Sequence, residues 1–486
     1  MTIRHSIFAV AICLLVCTVG FAQSKQHPAA TISVHPDKTK QTFDGMGCGT
    51  IFYGGHITSF GKRKKYKLQQ QLYDDLFKEI PTEFLHVMIR PDFEAENDND
   101  DPFQLEFTKD DFKKNRDALK VCKEAKKRRP NMKIYATLYS PPPWMKTNGL
   151  ETGGGKKRAT LKPGLGKEFG EYMWAYLQHM NQEGCPVEYL SICNESDWTH
   201  SQPGYFLRAP EHAKLFRILV DYFEAMSKQD PDTPMPKLVA PNGISVIDAA
   251  KRVIPALDEK VAGGVDVLGS HDYDRRRQDR WQLMRNVAGD RPVWCTEWCW
   301  NGKDYSPDLI KSANYSWSVM CDGFNHGLNA WMAYDYVYPP RPGGEALVHV
   351  EWGSSYHRTK FYSAFRQWSL PLTPGMQVVT SKVEAPKTPV IVASGKKRNE
   401  KEPIVKAASF FDAESDRLVI HVVNITKKPV DFQLTVPLPR YDQARFTTIR
   451  TSGEVSEKEG DPITLKDGAH RGKLGPREML TLEIAK

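Results

Sequence analysis

Two short apolar runs, each ending in a glutamate, constrain this chain more than any other feature. Glu188–Trp198 reads EYLSICNESDW, in which Tyr189, Leu190, Ile192 and Cys193 form the kind of run buried between helices in a parallel sheet. Asn194-Glu195 closes that run with a polar and an acidic group. Val293–Trp300, VWCTEWCW, has the same form and carries Glu297 near its end. The two glutamates lie 102 positions apart. A β/α unit takes roughly 30 residues or more, so about three units separate them. In a (β/α)8 barrel this spacing puts Glu195 after the fourth strand if Glu297 is on the seventh. The C-terminal ends of barrel strands are where such folds carry their chemistry.

The rest of the chain alternates as a barrel requires. The glycines of Asp44-Gly45-Met46-Gly47 predict a tight turn into a first strand. Phe84–Ile89, Lys133–Leu138, Lys237–Ala240, Val265–Ser270 and Asn329–Tyr334 read as further strands, and Leu68–Ile80, Phe112–Lys127 and Phe169–Asn181 have helical spacing. Three prolines in Tyr139-Ser140-Pro141-Pro142-Pro143-Trp144 forbid regular structure after the third strand, so a stiff loop is expected at the barrel top. Helical periodicity stops near residue 373, and short β-type runs follow, from Val390–Ala393 to Met479–Ile484. The charged stretch Lys396–Glu402 among them reads as a hairpin tip or loop. The fold class expected is therefore α/β: a (β/α)8 barrel over 43–373, with an all-β sandwich formed by 374–486 and completed by a strand from 23–42.

The 486 residues suit such a pair of modules, and 11 Trp with 19 Tyr supply ring faces for core and for sugar platforms alike. Arg4 and His5 precede an apolar run from Ile7 to Val19, and Gly20-Phe21-Ala22 offers a cleavage site, so residues 1–22 read as a signal peptide. The protein is expected to be secreted or periplasmic; Val16 before Cys17 argues against a lipid anchor there. No later segment is long and apolar enough to span a membrane. The cysteines show no paired Cys-x-x-Cys sets, which argues against zinc, while export permits a disulfide or two. Net charge is +8, gathered in clusters such as Lys62–Lys65, Lys126–Arg129 and Arg275–Arg277. Solvated surface accounts for most of these. Nucleic acid is a poor partner for an exported chain without a binding motif, and an acidic polysaccharide is a better one. Arg275-Arg276-Arg277 directly follows the sixth strand and is expected to attract uronic acids.

Two carboxylates across one barrel mouth are what a retaining glycosidase needs. One must be neutral to protonate the leaving oxygen, which apolar surroundings or a second negative charge favour. The other must stay charged, which calls for a cation or hydrogen-bond donors, and Arg90 and Tyr273 are the candidates. Neither a metal nor an organic cofactor is required.

The chain resembles glycoside hydrolase family 30, the family of glucosylceramidases, β-1,6-glucanases and glucuronoxylanases. The resemblance rests on Phe43-Asp44-Gly45-Met46-Gly47, Ser140-Pro141-Pro142-Pro143-Trp144-Met145-Lys146-Thr147-Asn148-Gly149, Asn194-Glu195, His271-Asp272-Tyr273, Thr296-Glu297 and Leu372-Thr373-Pro374-Gly375-Met376, in the family's order. It implies Glu195 as acid/base and Glu297 as nucleophile. It also implies Asn194 on the sugar 2-hydroxyl, Arg90 beneath Glu297, and Trp144 and Trp331 as apolar walls, with His271 and Tyr273 completing the substrate-binding set. The chain departs from the family's frequent Asn-Glu-Pro in having Asn194-Glu195-Ser196, and from its Gly-rich entry in having Cys48–Gly55. These departures leave the sugar open among β-linked glucan, xylan and galactan types. The competing expectation is a catalytically silent carbohydrate-binding protein on the same scaffold.

Overall fold

The computed structural model describes residues 29–484 except 199–201, 258–260, 262, 276, 303–308 and 342–345. The expected signal peptide and Cys17 lie outside the described residues, as does Arg276. Within the described residues no helix is long and apolar enough to cross a membrane.

The first strand, β1 (Ala30–Thr42), is followed by eight parallel strands that close into a barrel: β2 (Gly45–Gly49), β3 (Phe84–Ile89), β4 (Lys133–Leu138), β5 (Tyr189–Ser191), β6 (Lys237–Gly243), β7 (Val267–His271), β8 (Val293–Trp298) and β9 (Ala330–Ala333). β9 returns to β2, with Gly45 opposite Ala330 and Cys48 opposite Ala333. Strand side chains alternate between two faces. One set, including Phe84, Tyr135, Tyr189, Val239, Val267, Trp294 and Met332, fills the barrel interior as a separate cluster. The other set meets the surrounding helices, among them Tyr66–Phe77, Arg116–Arg128, Gly166–Gln182 and Ala209–Gln229. The interior is thus packed, and the C-terminal mouth, where such folds bind their ligands, is open.

Glycine matters most at Gly49, where β2 leaves the barrel. A Cβ there would stand 2.1 Å from the carbonyl oxygen of Tyr334, so only glycine lets the two chains pass.

β1 belongs to the second module. It pairs antiparallel with Gln377–Glu384 and parallel with Val430–Thr435, third from one edge of a nine-stranded sheet. That sheet encloses its own core, with Ile32, Val34, Ile420, Leu434, Phe446 and Leu482 among its members. The expected β-sandwich completed by an N-terminal strand is present. Within this module four strands lacked a sequence signal: Gln377–Glu384, Lys397–Pro403, Lys458–Thr464 and Ala469–Leu474. Of the hairpin tip or loop expected over Lys396–Glu402, the hairpin is what forms, with most of the stretch in its second strand. Lys397–Pro403 pairs with Lys387–Ile391 as a two-stranded ribbon apart from the main sheet.

Helix Ile310–Asn325 is buried along nearly its whole length between barrel and sandwich. Beside it lies a network of buried charges. Lys406 Nζ is 2.6 Å from both Asp322 Oδ2 and Glu402 Oε2, and Arg275 Nη2 is 2.9 Å from Glu402 Oε2. Arg280 and Asp272 form a further buried pair at its edge. Arg275 is only 2% exposed. The expectation that the Arg275–Arg277 run meets substrate is therefore corrected: Arg275 is a bridge between modules, and Arg277 pairs with its neighbour Asp279 at 2.7 Å. Among the described residues the cysteines form no disulfide, and all of them are buried.

Candidate active site

The chain leaves the β5 ladder after Ser191, and the next residues turn rather than extend. Glu195 has φ +47°, an unfavourable left-handed conformation for a side chain of this size. The surroundings hold it there. Its N–H donates to the carbonyl of Asn242 at 2.9 Å, and its own carbonyl accepts from Trp198 N–H at 2.9 Å. Asn242, at the end of β6, also donates Nδ2 to Cys193 O at 2.9 Å and accepts Thr296 Oγ1 at 2.5 Å. One side chain thus ties the Glu195 turn to the residue preceding Glu297.

Glu297 stands on β8 and is 5% exposed; Glu195 is 6% exposed. The Tyr139 hydroxyl donates to Glu297 Oε2 at 2.9 Å, and the Tyr273 hydroxyl donates to Oε1 at 2.9 Å. His271 Nδ1 lies 2.8 Å from Glu195 Oε1 and 3.5 Å from Glu297 Oε1. Ligating atoms of the three groups all fall within 4.8 Å of one another.

Electrostatics follow from this packing. Burial raises the Glu297 pKa, the His271 charge opposes that, and the neighbouring Glu195 adds to it, while the two tyrosine hydroxyls favour the ionised form; the net shift is upward. For His271 burial pulls the other way, favouring the neutral ring. The charge of Glu297 and the hydrogen bond to Glu195 outweigh it, and its pKa is raised. Glu297 and His271 thus each respond to the charge of the other and to that of Glu195. Two carboxylates and an imidazole could also ligate a divalent ion. Each oxygen of Glu297 also accepts a hydroxyl hydrogen bond, which uses two of the about four lone-pair sites of a carboxylate.

Glu195, Glu297, Tyr139 and Tyr273 line a cavity of about 1300 Å³ at the barrel mouth, whereas His271, expected to bind substrate, is fully buried and is not part of that lining. Asn194 joins them: it is 4% exposed, and its buried Oδ1 has no protein partner, leaving it free to accept from a ligand hydroxyl. Phe52, Tyr53, Trp198 and Tyr338 supply aromatic surface, and Trp198 is 54% exposed. Phe52 meets Tyr139 edge-on with centroids 5.5 Å apart, so the wall and the support of Glu297 are continuous.

Three expected site residues fall elsewhere. Arg90 does not reach Glu297; its guanidinium grips Asp92, two residues on, at 3.0 and 2.7 Å. Tyr139 takes the place expected of it. Trp331 is fully buried and packs on Trp298 and Phe365, with centroids 6.2 and 6.1 Å away. Its neighbours Ala330 and Met332 face the barrel interior, so alternation sends Trp331 outward to the helices. Trp144 is half-buried against the core and does not line the cavity. The loop around it is stapled by Lys146. That ammonium is buried and donates to Ser140 Oγ at 2.8 Å and to the carbonyls of Glu151, Thr152 and Gly204 at 2.9, 2.9 and 2.6 Å. Burial pushes its pKa down to about 8.

Sequence reasoning missed Tyr139, Asn242, Phe52, Tyr53 and Tyr338. Tyr139 and Asn242 had a usable signal, since each sits at the C-terminal end of a barrel strand.

No family model matches the chain, and no curated protein matches it. Solved structures do resemble it in fold. The glycoside hydrolase family 30 subfamily 8 xylanase Xyn30A of Clostridium acetobutylicum aligns over 94% of this chain and 100% of its own, with a TM-score of 0.69 and 20% identity. A conserved exported protein of Bacteroides fragilis aligns over 93% and 100%, with a TM-score of 0.68 and 15% identity. An endo-β-1,6-glucanase aligns over 94% of each chain, with a TM-score of 0.63 and 14% identity. The barrel and sandwich together are thus a glycoside hydrolase family 30-like fold.

Proposed function

We propose that this chain is an exported glycosidase that hydrolyses β-linked glucan-, xylan- or galactan-type chains with retention of configuration. The observation that carries the proposal is the closeness of two buried carboxylates at the barrel mouth, with carboxylate oxygens within 4.8 Å. Direct attack needs carboxyl groups about 5–5.5 Å apart, whereas inversion needs a gap of about 6.5–9.5 Å for a water. The fold likeness to xylanases and a glucanase supports a carbohydrate substrate. The apolar N-terminal run supports export.

In this reading Glu195 protonates the glycosidic oxygen while Glu297 attacks the anomeric carbon. Tyr139 and Tyr273 hold the attacking carboxylate in place and keep it ionised. Asn194 Oδ1 is placed to accept from a sugar hydroxyl. In the second step Glu195, now a carboxylate, takes a proton from the incoming water, and Glu297 is released. His271 faces both carboxylates and spreads the changing charge between them.

Truncations separate the roles. Glu297→Ala should abolish turnover on all substrates, because no covalent intermediate forms. Glu195→Ala should spare the first step on aryl glycosides with an acidic phenol and stall at the second, and azide should restore turnover. A Glu297→Ala protein that still cleaves aryl glycosides, beside a Glu195→Ala protein inert even with azide, would reverse the assignment.

A further inference from the structure

The ribbon Lys387–Ile391/Lys397–Pro403 springs from the β-module, yet its tip lies at the barrel mouth. Lys396, Lys397 and Arg398 line the same cavity as Glu195 and Glu297. Gly395, at φ +78°, makes the turn that presents them. All three are exposed. No ion pair is recorded for any of them among the described residues, in contrast to Arg275, Arg277 and Arg128, each gripped by a carboxylate. Glu400 also faces the cavity, so the tip carries a net positive charge rather than a purely basic surface.

The barrel fixes this tip from several sides. Arg275 Nη1 donates to Ile391 O at 2.7 Å on one strand, and Arg275 Nη2 reaches Glu402 on the other at 2.9 Å. Asn301 N–H donates to Ala393 O at 3.0 Å, and Gln278 Nε2 donates to Lys401 O at 3.0 Å. A solvated surface ribbon has no need of four such ties. Three cations held in a cleft, none of them ion-paired among the described residues, form a site waiting for negative charge.

We infer that the β-module completes the substrate cleft with this cationic tip, and that the glycan bound there is anionic, bearing carboxylate or sulfate groups. The inference rests on the glycosidase reading for the cleft and adds the charge class of the substrate. The tip selects the glycan, and the barrel cuts it. Attraction of this kind raises encounter rates and specificity, and salt weakens it over a screening length of about 8 Å at physiological ionic strength.

The test compares wild type with the triple variant Lys396→Ser/Lys397→Ser/Arg398→Ser on matched glucan- and xylan-type oligosaccharides. One arm pairs uronic acid-bearing oligosaccharides with their carboxyl-reduced forms; the other pairs sulfated with desulfated forms. For wild type, kcat/KM should favour the anionic member of at least one pair by on the order of tenfold at low salt and lose that preference as salt rises. The arm that responds identifies the anionic group. In the triple variant the preference should vanish, chiefly through KM. Turnover of neutral members with no preference and no salt dependence in either arm would overturn the inference and leave the glycosidase reading standing. Binding of the same pairs to Glu297→Gln, followed by calorimetry, covers the opposite case. Salt-sensitive binding of the anionic member alone, with no turnover by wild type, would support the cleft and refute the glycosidase reading.

Discussion

At the residue scale, the nucleophile candidate is supported by hydroxyls and an imidazole rather than by a guanidinium. Arg90 was the natural expectation for a cation beneath Glu297, but Asp92 captures it locally. A hydroxyl donor stabilises a carboxylate less than an adjacent cation does, which fits the upward shift of Glu297. In the proposed mechanism the ionised form of Glu297 is the active one, so the acid limb of kcat/KM should lie above the ordinary carboxylate range. Tyr139→Phe removes a donor that favours the ionised form. It should therefore move that limb to still higher pH and lower kcat on the order of tenfold or more. A pH profile of the variant superimposable on that of wild type would show that Tyr139 does not act on Glu297. The two glutamates were legible in the sequence because each ends an apolar run. Trp331 was not, because whether a barrel residue faces in or out depends on a parity that a four-residue strand leaves ambiguous.

At the scale of elements, the module junction rests on buried ions. The Glu402 carboxylate is held below its ordinary pKa: burial alone would raise it, but the charges of Lys406 and Arg275 prevail. Asp322 is lowered in the same way by Lys406, Arg280 and Arg275. A depressed folded-state pKa contributes stability that is fully present above the unfolded value, near 4, and is lost as pH falls through the folded value. The junction should weaken only in strong acid. Arg275→Met leaves Glu402 with Lys406 as its one buried cation and should cost about 2–3 kcal/mol, at or below the low end of the range for stranding a buried charge outright. Denaturant unfolding checks this, and a loss below about 1 kcal/mol would place the stabilisation elsewhere. The ribbon carrying the cationic tip was the least legible element. Lys397–Pro403 has no apolar alternation, since its strand is exposed except at Glu402 and Pro403 and pairs only with one short neighbour. Such a strand exists because tertiary anchors hold it, a cause that no local pattern records.

At the scale of the molecule, the barrel and the sandwich are joined through β1. Ala30, Ile32 and Val34 are core residues of the sandwich, although the chain enters the barrel only residues later at Gly45. The barrel order was legible because β/α alternation repeats eight times. The place of β1 between two strands of the sheet was legible only as an unpaired strand in need of partners. A fragment spanning 23–373 should be insoluble, because it keeps β1 without its neighbours and bares the face of helix Ile310–Asn325 that the sandwich covers. A soluble and fully active 23–373 fragment would contradict this dependence.

The central claim is that Glu195 and Glu297 work as a close pair through a covalent intermediate. Proton NMR of the hydrolysis reaction, recorded before mutarotation, reads it most directly. The account predicts that the first product carries the β-anomeric signal, with the α-anomer growing in later. First appearance of the α-anomer from a β-linked substrate would mean single displacement by water, and the paired-carboxylate mechanism would be wrong.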